Sequence, residues 1–151
     1  MGIIRNIKKS LVLPELTATN KKETLTELAT AVQAEYPSLT VKNVYETLLS
    51  REALGSTGLG EGIAIPHGKI RGLEEIVVCF GRSIRGIAFE SLDSKPTHLF
   101  FLLLAPEDAA ASYLSSLAEL TRFLKNPSAC GRLLQASGQE ELYAILTETG
   151  E

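Results

Sequence analysis

The sequence is poor in the residues that build disulfide frameworks and metal sites. It has no tryptophan, one methionine, two cysteines and two histidines in 151 residues. Cys79 and Cys130 lie far apart in different predicted elements, which favours free thiols over a disulfide. Two histidines and two distant cysteines give no metal-ligand spacing. We therefore expect neither a disulfide scaffold nor a metal, and no residue pattern implies a cofactor.

The chain also lacks a strong net charge and a long apolar run. A formal net charge of -3 gives no basic surface for nucleic acid. No run approaches the ~20 apolar residues that span a bilayer. The first residues, MGIIRNIKK, lack the apolar segment and cleavage site of a signal peptide. We predict no nucleic-acid partner, no membrane insertion and a cytoplasmic location.

The length and composition fit one ordinary globular domain. Hydrophobic residues make up 44% of the chain and charged residues 22%, a balance that supplies a substantial core. No internal repeat, low-complexity tract or linker divides the sequence. We predict a single domain over residues 1–151.

Apolar periodicity and capping residues predict strands mixed with helices. Asn20 with Glu23 three residues on predicts a capped helix to about Glu35, and Thr40 a second helix to about Glu52. Further helices are expected at residues 108–125, 128–135 and 139–146, strands at 11–13, 63–65, 75–82 and 97–105, and a turn around Gly86 at 84–87. The run at 97–105 is typical of a strand buried on both faces. The fold class is α/β, a mixed and mostly buried sheet with helices packed on both faces.

The most informative stretch is residues 51–69, REALGSTGLGEGIAIPHGK. Four glycines precede a short apolar run, and glycine lets the backbone take φ > 0 and approach other groups closely. Pro66 fixes its own φ and biases Ile65 toward an extended conformation. The stretch predicts a helix end, a glycine-rich loop, a short strand and one histidine, His67, at the exit of that strand.

This stretch resembles the enzyme IIA domains of the fructose/mannitol type in the bacterial sugar phosphotransferase system, including their nitrogen-regulatory relatives. The resemblance rests on Arg51-Glu52, on Gly55-Ser56-Thr57 and on G-I-A-I-P-H-G at 62–68, and it extends to LFFLLLAP at 99–106. It covers nearly the whole chain. It implies a phosphotransferase component that accepts a phosphoryl group from the histidine phosphocarrier protein. The group would then pass to a IIB partner or serve as a regulatory signal.

The resemblance implies that His67 is the phosphorylated nucleophile and attacks through Nε2. Transfer between two histidines needs a neutral imidazole with one ring nitrogen free and the other holding its proton against an acceptor. A backbone carbonyl in the glycine loop or at the strand end could be that acceptor. His98 precedes a buried strand and is interpreted as a packed or edge histidine. Without the surrounding pattern, an ordinary loop histidine would be the favoured interpretation of His67.

Arg51 is the candidate that stabilises the phosphoryl group, because a guanidinium offers a planar fork of donors and stays charged. It could also be a solvated charge at a helix C-terminus. Ser56, Thr57 and the loop amides could add hydrogen bonds, or the two side chains could simply shape turns. Glu61 lies where mannitol-type members carry a glutamate, and its expected role is to orient Arg51.

The sequence departs from the family pattern at Tyr113. Many members carry a second histidine at the start of the helix that follows the long strand. A phenol can donate to a phosphoryl oxygen but is not cationic near neutral pH. Tyr113 also falls on an apolar helix stripe, so a packing role stays open.

Two functions follow from these observations. The leading one is the phosphohistidine carrier. The alternative is a non-catalytic regulatory module that keeps the fold and binds protein targets, and the tyrosine at 113 motivates it. A phosphate-binding hydrolase is disfavoured because the loop lacks the Gly-Lys-Ser/Thr ending of a nucleotide-binding loop. The glycine loop favours the regulatory type of carrier, whereas Glu61 favours the sugar type.

Overall fold

The computed structural model describes residues 4–148. Within this range two single-turn 3-10 helices, Ile4–Asn6 and Lys9–Leu11, precede the sheet and helices. The elements in chain order are β1 (Val12–Leu13), α1 (Lys21–Glu35), α2 (Val41–Glu52), β2 (Gly58–Gly60), β3 (Ile63–Ala64), β4 (His67–Ile70), β5 (Val77–Ile87), β6 (Thr97–Pro106), α3 (Ala110–Leu124), α4 (Pro127–Gln135) and α5 (Gln139–Thr147).

The first two helices begin where their capping residues predicted. The N–H of Glu23 donates to Oδ1 of Asn20 across 2.9 Å, and the N–H of Asn43 donates to Oγ1 of Thr40 across 3.1 Å. The carboxylate of Glu23 reaches back one residue further than expected, because it accepts from the N–H and hydroxyl of Thr19. Side-chain oxygens thus satisfy donors that the first helical turn leaves unpaired.

Strand β6 is the centre of the sheet. The strand order is β1-β5-β6-β3-β2, with β4 also paired to β6. Strand β6 runs antiparallel to β5 and parallel to both β3 and β4. Every residue of β6 except His98 is buried, so the sheet is covered on both faces. The described residues confirm the predicted α/β class with its mixed, mostly buried sheet.

The turn predicted around Gly86 is wrong, because strand β5 continues to Ile87. The pairing with β6 shifts register between Arg82 and Ile87, so the strand absorbs an irregularity here without ending. Gly86 has a φ of 89°, and a Cβ at this position would lie 2.9 Å from Cε1 of His98. A glycine that serves a bulge therefore resembled a turn in the sequence.

The glycine-rich stretch holds two strands that the sequence did not predict, β2 and β4. His67 opens strand β4 and lies opposite Leu103 of β6, whereas we expected it at the exit of a strand. Strand β3 ends at Ala64, one residue earlier than predicted. The histidine is therefore held by a strand on its C-terminal side and by the Ile65-Pro66 break on its N-terminal side.

The two cysteines are free thiols, as expected. Burial raises the pKa of the Cys79 thiol to about 12, which keeps it protonated and unreactive. Among residues 4–148, none of the helices combines the length and apolar character needed to cross a bilayer.

Candidate active site

The last turn of α2 and the first residue of β4 bring Arg51 and His67 together. The Nε–H of Arg51 donates to Nε2 of His67 across 3.2 Å. The close packing of α2 on β4 depends on Gly68, where a Cβ would lie only 2.7 Å from Cγ2 of Thr47. Glycine next to the histidine thus allows the helix that carries the arginine to approach the strand.

The other ring nitrogen of His67 fixes the tautomer. Nδ1 lies 2.6 Å from the carbonyl oxygen of Ile65. A carbonyl only accepts, so Nδ1 carries the proton and donates it. Nε2 is then the nitrogen with the lone pair, which accepts from Arg51. The contacts with Ile65 and Arg51 thus favour the same neutral tautomer, in which Nδ1 carries the proton and Nε2 has the nucleophilic lone pair.

The surroundings keep this imidazole neutral. Burial and, to a smaller extent, the positive charge of Arg51 lower the pKa of His67 below its ordinary value of 6.5. The hydrogen bond to Ile65 and the carboxylate of Glu52 act in the opposite direction and are outweighed. The unprotonated form therefore predominates at neutral pH, as a nucleophile requires.

The guanidinium of Arg51 is oriented by the loop that follows α2. Its Nη1 donates to the carbonyl of Gly55 across 3.0 Å. Glu61, expected to orient this arginine, lies elsewhere: it is exposed, has a φ of 57°, and its N–H donates to Oδ2 of Asp93. Within the described part of the chain, no ion pair or hydrogen bond joins Glu61 to Arg51. In the unphosphorylated protein the backbone carbonyl of Gly55 orients the guanidinium of Arg51.

Ser56 and Thr57 are engaged within the loop. Oγ of Ser56 accepts from the N–H of Gly58 across 3.0 Å. Thr57 is buried, and both its N–H and its hydroxyl donate to the carboxylate of Glu52. Both side chains thus shape the loop that holds Arg51, and their hydrogen bonds do not reach His67.

Tyr113, in the first turn of α3, belongs to the site. Its ring centroid lies 6.0 Å from that of His67, with the planes tilted by 49°. The ring is half-buried and packs against the core, which supports the packing role, whereas its role toward a phosphoryl group stays a prediction. Burial raises the pKa of Tyr113, and the phenol remains a neutral donor. The ammonium of Lys69 lies 5.9 Å from the same ring centroid.

Two residues near the site were given no role by sequence reasoning, although Glu52 belongs to the Arg51-Glu52 pair of the family resemblance. The carboxylate of Glu52 accepts hydrogen bonds from Thr57. The feature of the sequence that could have indicated a role is its position directly after Arg51. Lys69 follows His67 by two positions in β4, so strand alternation puts it on the same side of the sheet. That signal was hidden because His67 was expected to end a strand.

Comparison with known proteins identifies the family. Residues 5–149 match the family described as "Phosphoenolpyruvate-dependent sugar phosphotransferase system, EIIA 2". The chain belongs to this family. The match confirms the resemblance on which the site residues were selected.

Individual EIIA relatives are similar over almost their full length. A nitrogen regulatory protein of Bradyrhizobium diazoefficiens is 42% identical over 146 residues, covering 97% of this chain and 95% of that protein. The crystal structure of nitrogen regulatory protein IIA-Ntr from Neisseria meningitidis superposes with a TM-score of 0.87 at 36% identity, covering 96% and 99% of the two chains. Enzyme IIA-mannitol of Escherichia coli, solved in complex with phosphorylated enzyme IIB-mannitol, gives a TM-score of 0.75 at 22% identity over 93% and 96%. This last likeness is one of fold.

Proposed function

We propose that His67 accepts a phosphoryl group on Nε2 from the histidine phosphocarrier protein. Family membership supports the broader role, a phosphocarrier or regulator of the phosphotransferase system. The observation that carries the finer proposal is the pair of hydrogen bonds on the ring: Ile65 holds the proton on Nδ1, and Nε2 presents its lone pair to Arg51.

The transfer conserves atoms and charge with little covalent work by the protein. The Nε2 lone pair attacks phosphorus, a P–N bond forms to His67, and the P–N bond to the donor histidine breaks. The electron pair of that bond returns to the donor imidazole. The Nδ1 proton stays on His67, where the Ile65 carbonyl supports the positive charge that the ring gains on attack. Positioning and electrostatic stabilisation supply the catalysis.

Arg51 must give up its contact with Nε2 before attack. Its Nη1 is held separately by the Gly55 carbonyl, so the guanidinium can turn its other donors to the phosphoryl oxygens and remain in the site. Its planar fork suits phosphate oxygens. Tyr113 adds a neutral hydroxyl donor near the same imidazole.

We infer that the phosphoryl group serves a regulatory signal more directly than sugar uptake. A nitrogen regulatory protein shares 42% identity over 97% of this chain, whereas a fructose-specific EIIABC component shares 32% over 98%. Onward transfer to a IIB partner is the other use of the same chemistry, as the complex of the mannitol domain illustrates for that protein.

A non-catalytic regulatory module is the second candidate. By the family resemblance, Tyr113 stands where many members carry a second histidine, and Arg51 covers the Nε2 lone pair of His67. A protein that only bound targets through this fold would have no need of a reactive Nε2.

The deciding experiment is phosphorylation in a reconstituted system. The protein is incubated with phosphoenolpyruvate, enzyme I and the phosphocarrier, and its intact mass is measured before and after acid treatment. We expect an acid-labile gain of one phosphoryl group. The gain should disappear in His67→Gln and persist in the matched control His98→Gln. A wild-type protein without any gain would favour the interaction module, and a gain that survives in His67→Gln would contradict the assignment.

A further inference from the structure

Glu52 occupies a position that is unfavourable for a carboxylate. It is the last residue of α2, where the helix macrodipole is negative. Its side chain is only 3% exposed, so the charge is also removed from water. A carboxylate in such a place must make contacts that offset these costs, and those contacts indicate its role.

The carboxylate is held by one cation and one residue of the glycine loop. Nζ of Lys21, the first residue of α1, lies 2.9 Å from Oε1 of Glu52. The N–H of Thr57 donates to both carboxylate oxygens, at 3.1 and 3.3 Å, and the Thr57 hydroxyl donates to Oε2. Glu52 therefore closes the loop from the end of α2 to the start of β2.

The N–H of Thr57 would otherwise belong to the sheet. Strands β2 and β3 are antiparallel, with Gly58 opposite Ala64, so the next pair in this register is Thr57 with Ile65. Residues of a hydrogen-bonded antiparallel pair exchange two N–H···O bonds. Here one bond is made, from the N–H of Ile65 to the carbonyl of Thr57 across 2.9 Å. The reciprocal donor, the N–H of Thr57, is taken by Glu52.

The half-made pair leaves the carbonyl of Ile65 without its ladder donor. That carbonyl is the group that accepts from Nδ1 of His67. The same loop supplies the Gly55 carbonyl that holds Arg51. The partners of both ring nitrogens thus depend on a loop that Glu52 closes.

We propose that Glu52 is a positioning residue for phosphoryl transfer: by capturing the N–H of Thr57, it reserves the Ile65 carbonyl for Nδ1 of His67. The consequence for transfer rests on the function proposed above. The control of the imidazole tautomer does not, and it can be measured in the unphosphorylated protein.

The test compares two substitutions of Glu52 with a control on the same helix. Glu52→Met removes both acceptor oxygens at similar length, Glu52→Gln retains one oxygen, and Glu46→Met changes an exposed glutamate of α2. Nitrogen-15 NMR of the imidazole reports which ring nitrogen of His67 is protonated, and single-turnover phosphorylation reports transfer.

In the wild type and in Glu46→Met we expect the Nδ1–H tautomer. In Glu52→Met the N–H of Thr57 can close the ladder pair with Ile65, so the Nδ1–H form should lose its dominance. Transfer should then slow about tenfold or more, since small losses of alignment are costly in phosphoryl transfer. Glu52→Gln should retain the tautomer better than Glu52→Met.

A folded Glu52→Met that keeps the wild-type tautomer and transfer rate would overturn the proposal. Should this variant fail to fold, Thr57→Val and Thr57→Ser decide: valine lacks the hydroxyl that fixes the carboxylate and should shift the tautomer, and serine should not. Equal tautomers in these two would also overturn it. A wild-type protein that takes no phosphoryl group would refute the proposed function alone, because the tautomer measurement still decides the role of Glu52.

Discussion

The Nε–H of Arg51 donates to Nε2 of His67 across 3.2 Å, and Nε2 is the atom that attacks phosphorus in the transfer we propose. In the unphosphorylated protein the arginine therefore covers the nucleophilic lone pair. In the proposed phosphorylated form the same guanidinium would face the phosphoryl oxygens. One side chain would thus hold the ring before transfer and stabilise the phosphohistidine after it.

Replacing Arg51 with alanine should slow phosphorylation much more than it destabilises the fold. Loss of one such donor typically costs about a hundredfold or more in rate. The residue is partly exposed, so the free energy of unfolding should change by about 1 kcal/mol or less. Single-turnover kinetics and chemical denaturation measure the two effects, with the exposed Arg85→Ala as control. Parallel losses of rate and stability would contradict the proposed role.

Phosphoryl acceptance should persist at pH values where an ordinary histidine is already protonated. Burial and Arg51 hold the pKa of His67 below 6.5, so the nucleophile stays neutral as the pH falls through 6.5. The rate of phosphorylation against pH, set beside an NMR titration of the ring, measures this. In Arg51→Gln the pKa should rise toward its ordinary value, and an unchanged pKa would show that the arginine does not act on the ring.

The same shift predicts how stability depends on pH. Because the pKa of His67 is lower in the folded than in the unfolded chain, the unfolded chain binds more protons between the two values. The contribution of His67 to the free energy of unfolding is therefore fully present above pH 6.5. It is lost as the pH falls from 6.5 through the lower pKa of the folded state. Denaturation of the wild type and His67→Gln across the window should show a shallower pH slope in the variant. Identical slopes would count against a lowered pKa.

Tyr113→His should fold and transfer at least as fast as the wild type, because it introduces the second imidazole that the family resemblance implies at this position. Tyr113→Phe removes only the hydroxyl and should slow transfer by about fivefold, the equivalent of one modest hydrogen bond. Phosphorylation rates and thermal unfolding of both variants measure this. Gross unfolding of Tyr113→His would instead show that packing alone explains the residue.

Gly68→Ala should destabilise the protein by about 1–3 kcal/mol, the usual range for an overpacked contact. The new Cβ would lie 2.7 Å from Cγ2 of Thr47 and would push α2 away from β4. Thr47→Ser removes that methyl group and should restore much of the stability in the double variant. Gly131→Ala, on α4 with no atom within 4 Å of its Cβ, should instead stabilise by about 0.5–1 kcal/mol. Denaturation of all four variants tests the contact, and additive effects of Gly68→Ala and Thr47→Ser would refute it.

The helices and the central strand were predictable because their signals are local. Asn20 and Thr40 cap helices whose apolar positions recur at helical spacing, and the run at 97–105 has no other stable place than a buried strand. Strands β2 and β4 were not predictable in this way. They are short and contain glycine: β4 exists because β6 offers a hydrogen-bonding partner from a distant part of the chain, and β2 pairs with the equally short β3 across a register shift. The irregularity at Gly86 was also not predictable, because it depends on the pairing of β5 with β6 and on the His98 ring that a Cβ at this position would crowd.

The site was predictable where one residue type carries the chemistry. His67 and Arg51 stand in a recognisable motif, and a backbone acceptor for Nδ1 was expected. The role of Glu61 could not be judged from sequence, since its neighbour in space, Asp93, is 32 positions away. Glu52 was recognised only as part of the Arg51-Glu52 pair, because the role we propose for it depends on which hydrogen bond of a strand pair is left unmade.

Tyr113 bears on how readily the protein would give the phosphoryl group away. A second imidazole beside His67 could become cationic and attract the negatively charged phosphoryl group, whereas a phenol offers a dipole without a net charge. The phosphorylated form would then be less strongly stabilised, and its phosphoryl-transfer potential would lie close to that of its donor. A carrier built this way would exchange phosphoryl groups in both directions, so its loading would follow the phosphorylation state of the donor pool.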